Sequence, residues 1–288
     1  MFGGIFGNIV RVLFEKENRG GHFMRGLLSV CFGTSHADTR ERTIDAIEAS
    51  LRTEFPDRAF YSAWASARIV AKTRERGEFH DTLDEALARL DADDVDDLIV
   101  STMCLMPGKE MATITRAVET WAGKRGRSAY LADPLLATED DRRAVARVVC
   151  DEFSFVGDDD ALLLMGHGCA EVRSDVYSNL QNELHALGRP RFFVATVEGN
   201  PTFDDALPFI DACGAQRVYV APLMIAAGDH AKNDMAGAGE DSWASRLAAS
   251  GKQVEVVMKG LGEYKGIREL VCDHVREALV IREVALRG

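Results

Sequence analysis

The chain has 288 residues, of which 47% are hydrophobic and 28% carry a charge. This length and composition allow a large buried core, which excludes a disordered or fibrous protein and fits one long domain or two. The formal net charge of -12 disfavours a nucleic-acid partner, because binding to phosphates needs a concentrated basic surface.

Residues 1–24 differ from the rest of the chain and are interpreted as an N-terminal extension. They contain several glycines and a short apolar stretch at 9–14, followed by charged residues. A signal peptide has the opposite order, with positive charge before the apolar core. The segment is therefore expected to be either a short amphipathic extension or the product of a start site upstream of the true one.

Apolar runs and cysteines indicate the environment of the protein. No uninterrupted apolar run approaches the roughly 20 residues that cross a bilayer, so we expect no membrane span. The six cysteines are scattered and form no CxxC pair. This usage is typical of reduced thiols in a cytoplasmic protein.

From Gly26 onward, apolar runs of strand length alternate with helical patterns. Such alternation predicts βαβ units, and therefore an α/β fold with parallel sheets. In the first half the sequence predicts helices over 38–54 and 81–90, and strands over 27–32, 59–63, 97–103 and 128–132. In the second half it predicts helices over 174–187, 203–213 and 242–249, and strands over 161–165, 191–197, 217–222 and 253–258.

The order of elements is the same in both halves, which predicts an internal duplication. The acidic stretch around 157–160 is the expected boundary, giving halves over 25–157 and 158–288. Residues 105–111 (LMPGKEM) match residues 225–231 (IAAGDHA), so Glu110 and His230 occupy corresponding positions. Because ligands bind where parallel strands end, we expect Glu110 and His230 to face each other across a shared cleft.

Three polar side chains follow predicted strands directly and lie beside glycines: His167, Glu198 and His230. Two imidazoles and a carboxylate suit cobalt(II), iron(II), nickel(II) or zinc(II), and they can also accept protons near neutral pH. Each of them has an ordinary alternative as a turn, cap or packing residue. In the segment 228–235 (GDHAKNDM), Asp229 and Asp234 are interpreted as capping or supporting groups for His230.

Several motifs together resemble one known family. They are VCFGTS at 30–35, MGHG at 165–168, VEGNP at 197–201, the block that ends in GDHAKNDMAG at 237, DSW at 241–243 and KGLGE at 259–263. The set is similar to the single-chain sirohydrochlorin cobaltochelatases of anaerobic cobalamin biosynthesis, which are class II chelatases. The resemblance runs from about residue 27 to residue 279.

The resemblance implies two flavodoxin-like, doubly wound halves, related by a pseudo-twofold axis and placed around a tetrapyrrole cleft. It implies that Co²⁺ is inserted into sirohydrochlorin as a substrate metal, with no organic cofactor. His167 and His230 would bind the metal and accept the two pyrrole protons, and a glutamate, Glu198 or Glu110, would assist. From the residues alone, Glu198 is also the third expected metal-site residue, and both glutamates are candidate catalytic residues. The residues expected to contact the tetrapyrrole are Phe32, Gly33, Thr34, Lys109 and Lys232; Arg173 and Lys259 are expected near the cleft.

One position departs from the family pattern and leaves the metal preference open. Many relatives have a histidine where this chain has Cys104, whose alternatives are a soft ligand and a small buried hydrophobe. The alternatives to cobalt insertion are an iron or nickel chelatase acting on sirohydrochlorin or a related tetrapyrrole, and a non-catalytic tetrapyrrole or metal carrier. The expected partners are sirohydrochlorin and a divalent metal, and a homo-oligomer is left open.

Overall fold

The computed structural model describes residues 24–171 and 174–285, which form two parallel β-sheets flanked by helices. The predicted extension, apart from Met24, lies outside the described residues, as does Arg173. Within the described ranges, no helix combines the length and the apolar character that crossing a membrane requires.

The first sheet has four parallel strands in the order β2-β1-β3-β4. The two central strands are buried along almost their whole length, as expected of a parallel sheet covered on both faces. All four strands predicted for this half are confirmed. They are β1 (Met24–Cys31), β2 (Ala59–Trp64), β3 (Val95–Thr102) and β4 (Ser128–Leu131).

The helices of the first half number more than the sequence patterns predicted. The prediction of a single helix over 38–54 was wrong, because the chain is interrupted at Thr43, which has φ -117° and ψ -76°. The Thr43 hydroxyl donates to the Thr39 carbonyl oxygen at 2.6 Å, a local bond that competes with regular helix geometry. The helices are α1 (Ala37–Arg42), α2 (Ile44–Glu54), α3 (Ala67–Arg74), α4 (Leu83–Ala92), α5 (Lys109–Arg125) and α6 (Glu139–Glu152).

The second sheet repeats the first, with four parallel strands in the order β6-β5-β7-β8. Its strands are all among those predicted: β5 (Ala161–Gly168), β6 (Phe192–Glu198), β7 (Arg217–Leu223) and β8 (Gln253–Val256). Its helices are α7 (Val176–Ala186), α8 (Phe203–Ala212), α9 (Trp243–Ala249) and α10 (Lys265–Ala285), with a π-helical turn at Ala231–Met235 and a 3-10 turn at Leu261–Glu263.

The identical strand order confirms the prediction of two similar halves. In each sheet the first strand of the half lies between the second and the third, which is the start of the flavodoxin-like order. No strand crosses the predicted boundary at 157, so each half contributes one sheet.

The compact units of the structure do not follow the chain halves. Residues 24–35, 44–138 and 268–285 form one unit, and residues 36–43 and 139–267 form the other. Helix α1 therefore packs within the unit of the second sheet, and most of α10 within the unit of the first. The predicted boundaries of the two halves, which concern the duplication, stay a prediction.

Glycines shape the end of β5 where the backbones of two strands approach closely. A Cβ atom added at Gly166 would lie 2.5 Å from the Tyr177 ring. Gly168 pairs with Glu198 of β6 and has φ +80°, and a Cβ there would lie 1.7 Å from the Glu198 carbonyl oxygen. Only glycine fits the second position, because both the contact and the left-handed backbone exclude a side chain.

Substituting Gly168→Ala should therefore destabilise the protein by more than about 2 kcal/mol, since β5 and β6 must separate to admit the methyl group. Gly188→Ala is the matched control, because Gly188 has φ +84° and open space around its Cβ position. We expect the control to cost about 1 kcal/mol, from backbone strain alone. Denaturant unfolding of both variants measures the difference, and equal costs would contradict the close-contact explanation.

Candidate active site

The candidate site lies where β5 and β7 end side by side. Gly166 is paired with Leu223 in the parallel register of these strands, so the residues that follow share one edge of the sheet. His167 comes directly after Gly166, and His230 lies beyond β7 at the start of the π-helical turn. The two imidazole rings meet with centroids 4.8 Å apart and planes at 85°. The structure thus brings together the two predicted histidines.

A hydrogen bond at Nδ1 fixes the tautomer of His167. Its Nδ1 lies 3.1 Å from the carbonyl oxygen of Gly168. A carbonyl oxygen can only accept a hydrogen bond, so we assign the proton of the neutral ring to Nδ1. The Nε2 atom of His167 then carries a free lone pair.

The same arrangement holds for His230, with a carboxylate in place of the carbonyl group. His230 Nδ1 lies 2.6 Å from Asp234 Oδ2, four residues further along the chain. A carboxylate on the second nitrogen of a metal-binding histidine fixes the tautomer and the orientation of the ring. Asp234 thus has the supporting position that the sequence indicated, and His230 also presents a free Nε2.

Rings with centroids 4.8 Å apart are close enough for one dication to bind both imidazoles, because a bond between an imidazole nitrogen and such a metal is about 2 Å long. The described residues contain no group of three or more His, Cys, Asp or Glu side chains that could hold a metal ion. Glu198 is exposed at the end of β6 and does not complete such a group. The histidine pair is therefore the site that the geometry supports.

Glu110 lies in the first turn of α5, within the unit of the first sheet. Burial raises its pKa from 4.5 to about 7, because the charged carboxylate loses its hydration. This effect outweighs the stabilisation that a carboxylate gains at a helix N-terminus. Glu110 can thus exchange a proton near neutral pH, while its predicted position opposite His230 stays a prediction.

Cys104 belongs to the hydrophobic core of the first unit. Burial, with a smaller contribution from the charge of Glu110, raises the pKa of its thiol well above the ordinary value. Metals bind the thiolate, not the thiol. The structure therefore favours the small buried hydrophobe over the soft metal ligand at this position.

The residues predicted to contact a tetrapyrrole differ in accessibility. Phe32 is 55% exposed, whereas Thr34 is buried. Gly33 has φ +93° and packs against the indole of Trp64, where a Cβ would lie 2.6 Å from the ring. Lys109 is exposed, and Lys232 is half-buried with Nζ 3.8 Å from Asp38 Oδ1. Their roles in binding stay predictions.

Sequence reasoning missed the contact between His36 and Asp229. His36 Nε2 lies 2.7 Å from Asp229 Oδ1, although the two residues are 193 positions apart. The sequence patterns indicated a capping or supporting role for Asp229 and no partner for it in the first half of the chain. No local pattern could have paired them, since the contact exists only because α1 packs with the second sheet.

Comparison with known proteins gives consistent results over most of the chain. The family model described as cobalt chelatase (CbiK) matches residues 25–280. Sirohydrochlorin cobaltochelatase of Salmonella typhimurium is 33% identical over 256 residues, which cover 88% of this chain and 96% of that protein. Sirohydrochlorin cobaltochelatase CbiKC of Nitratidesulfovibrio vulgaris is 28% identical over 257 residues, covering 88% and 90%.

A solved structure is also similar in fold to this chain. SirB from Bacillus subtilis with Fe³⁺ superimposes with a TM-score of 0.63 and 10% sequence identity, covering 89% of this chain and 96% of that one. At this identity the likeness concerns the fold alone, and it confirms the predicted fold class.

Asp234→Ala should weaken Co²⁺ binding by about 10- to 100-fold, because His230 loses the group that fixes its tautomer and orientation. Asp204→Ala is the control, since Asp204 pairs with Arg246 on the surface of the same unit. Isothermal titration of the tetrapyrrole-free protein with Co²⁺ measures the affinity. An Asp234→Ala affinity equal to that of the control would contradict the supporting role.

Glu110 should make stability depend on pH in a defined direction. Its pKa is higher in the folded than in the unfolded chain, so the folded state holds the extra proton between about pH 4.5 and 7. Stability is thus lost as pH rises through this window. Between pH 5.5 and 8, wild type should lose about 1–2 kcal/mol of unfolding free energy relative to Glu110→Gln. A difference between the two proteins that does not change with pH would contradict the raised pKa.

Proposed function

Because this chain belongs to the cobalt chelatase (CbiK) family, we propose that it inserts Co²⁺ into sirohydrochlorin with release of two pyrrole protons, as a step of cobalamin biosynthesis. The family match confirms the resemblance inferred from the motifs of the sequence. The observation that supports the proposal is the pair His167 and His230, whose rings meet and whose hydrogen bonds to other described residues are made by Nδ1 rather than Nε2.

The reaction needs groups that can hold a dication and then accept protons. Co²⁺ replaces two protons on the pyrrole nitrogens, so the net charge of the macrocycle does not change once a base has accepted both protons. A neutral imidazole can do both tasks in turn, because the lone pair that binds the metal also accepts a proton. Protonation of Nε2 weakens the bond to the metal, which favours transfer of the ion to the macrocycle.

The two histidines have unequal surroundings that suit different parts of this exchange. His230 is supported by the Asp234 carboxylate, which stabilises a positively charged imidazolium. His167 is supported by a neutral carbonyl oxygen. We therefore assign the role of first proton acceptor to His230, with His167 holding the metal until transfer.

Two carboxylates are proposed to assist with the protons and the positive charge that the exchange produces. Glu110, with a pKa of about 7, can take up a proton and pass it to water at neutral pH. Glu198 is exposed at the carboxyl end of β6 and can offset positive charge during the exchange. The substrate is a polycarboxylate, so Lys109 and Lys232 are proposed to bind its acidic side chains despite the net charge of -12.

The cysteines support a reducing compartment, and we propose the cytoplasm. All six are free thiols in the structure. Free thiols persist where glutathione and thioredoxin systems keep cysteines reduced.

The direct test is to incubate the purified protein with sirohydrochlorin and Co²⁺, and to follow the absorbance change of the macrocycle. We expect an initial rate well above the protein-free rate. The same assay with Fe²⁺ and Ni²⁺ distinguishes cobalt insertion from the iron or nickel alternative. Binding of the tetrapyrrole without a rate above the protein-free reaction, for every metal, would leave a carrier and overturn the enzymatic proposal.

His230→Ala should reduce the insertion rate by at least about 100-fold while tetrapyrrole binding remains, because the first proton acceptor is lost. His185→Gln is the matched control, since the His185 ring binds the Phe192 carbonyl oxygen within the same unit and glutamine can donate a similar bond. Thermal unfolding of both variants checks that they are folded. Insertion by His230→Ala at the control rate would remove His230 from the mechanism.

A further inference from the structure

We infer that His36 is a positioning residue for His230, holding through Asp229 the segment that presents the metal-binding ring. The inference rests on the proposed function of His230, and it assigns to the first half of the chain a direct part in shaping the site. His36 touches neither the metal nor the macrocycle in this role.

The contact itself is short and involves a side chain adjacent to the site. His36 Nε2 donates to Asp229 Oδ1 over 2.7 Å. Asp229 immediately precedes His230 in the chain, so any displacement of Asp229 moves the Cα atom of His230. The His36 side chain is 28% exposed and the Asp229 side chain is 62% exposed, so the histidine side of the bond is mostly covered while the carboxylate is open to water.

Helix α1 adds weaker contacts along the same segment. Thr39 Oγ1 lies 3.5 Å from the Ala227 carbonyl oxygen, and Lys232 Nζ lies 3.8 Å from Asp38 Oδ1. Both distances are at the limit of an effective contact. Of these contacts from α1 and its N-cap residue His36, the bond to Asp229 is therefore the one expected to fix the segment.

The chain before Asp229 is held in a different way. The amides of Leu261 and Gly262 donate to the carbonyl oxygens of Met224 and Ile225 at 2.8 and 3.0 Å. A Cβ at Gly260 would lie 2.5 Å from the Ile225 oxygen, so this approach is close. Main-chain bonds thus anchor the segment up to residue 225.

Beyond this anchor the chain turns from β7 into the π-helical turn, and His230 lies at that turn. The rotamer of His230 is set from one side by Asp234, within the turn itself. Burial of Ala227 and Ala231 in the core of the unit holds the backbone of the turn, and the bond from His36 adds a directional contact at its start from outside the segment. A ring must keep both its rotamer and its Cα position to meet His167 at 4.8 Å.

The test compares Co²⁺ affinity among variants of the full-length protein without tetrapyrrole. We expect His36→Leu to weaken Co²⁺ binding by about 5- to 20-fold, as groups behind metal ligands commonly do. His36→Gln should restore affinity to within about threefold of wild type, because its amide nitrogen can donate to Asp229 from a similar reach. In turnover, the KM for Co²⁺ should rise in His36→Leu while the KM for sirohydrochlorin stays the same.

A double-mutant comparison shows whether the effect passes through Asp229. Asp229→Ala should weaken Co²⁺ binding about as much as His36→Leu, and the double variant should be no weaker than either single variant. If the loss of Co²⁺ affinity in the double variant equals the product of the two single losses, His36 does not act through Asp229, and the inference is overturned. A His36→Gln variant that binds Co²⁺ as weakly as His36→Leu would also overturn the inference.

Arg42→Gln is the matched control, since Arg42 lies on the same helix and faces Glu263 at 3.8 Å. Its Co²⁺ affinity should equal that of wild type, and thermal unfolding shows whether each variant is folded. If Arg42→Gln weakens Co²⁺ binding as much as His36→Leu does, the effect is a general loss of α1 packing, and the positioning role is overturned.

The two proposals fail in different ways. If wild type binds Co²⁺ and the variants differ as expected, but no metal is inserted, the positioning role stands and the enzymatic proposal falls. If wild type inserts cobalt and His36→Leu binds Co²⁺ equally well, only the positioning role falls. A wild type that binds no Co²⁺ overturns both.

Discussion

The parallel pairing of β5 with β7 is the constraint on which the candidate site depends. It places the residue after Gly166 beside the chain that leaves Leu223, and so brings the His167 and His230 rings together. Hydrogen bonds to a carbonyl oxygen and a carboxylate then give both rings the same tautomer. The proposed chemistry, metal binding and then proton uptake at Nε2, depends on this placement of the two rings.

Much of the fold could be predicted from local sequence patterns. Six of the eight strands consist mainly of buried residues, whereas β2 and β8, each at the edge of its sheet, are more accessible. The repeated order of elements indicated the duplication. Helix α5 was not predicted, because its Thr113, Thr115 and Val118 lower helix propensity, although burial of Ile114 and Trp121 stabilises it. The break at Thr43 depends on one hydroxyl–carbonyl bond, which no periodicity reveals.

The candidate site was partly predictable for the same reason. His167 and His230 follow strands and lie beside glycines, so their residue types and positions indicated a site. The pairing of His36 with Asp229 depends on which unit α1 packs against, a tertiary property that local patterns do not contain. The raised pKa of Glu110 likewise results from burial, which is a property of the folded chain. Residues at strand ends can thus be predicted from the sequence, whereas the tertiary contacts that orient and bury site residues cannot.

The composition of the compact units has a consequence for the order of folding during synthesis. Domains generally fold from the N-terminus as the chain emerges. The unit of the first sheet includes residues 268–285, whereas the unit of the second sheet is complete once residue 267 has emerged. The unit of the second sheet can therefore be completed first, whereas the unit of the N-terminal sheet stays incomplete until the residues of α10 have left the ribosome.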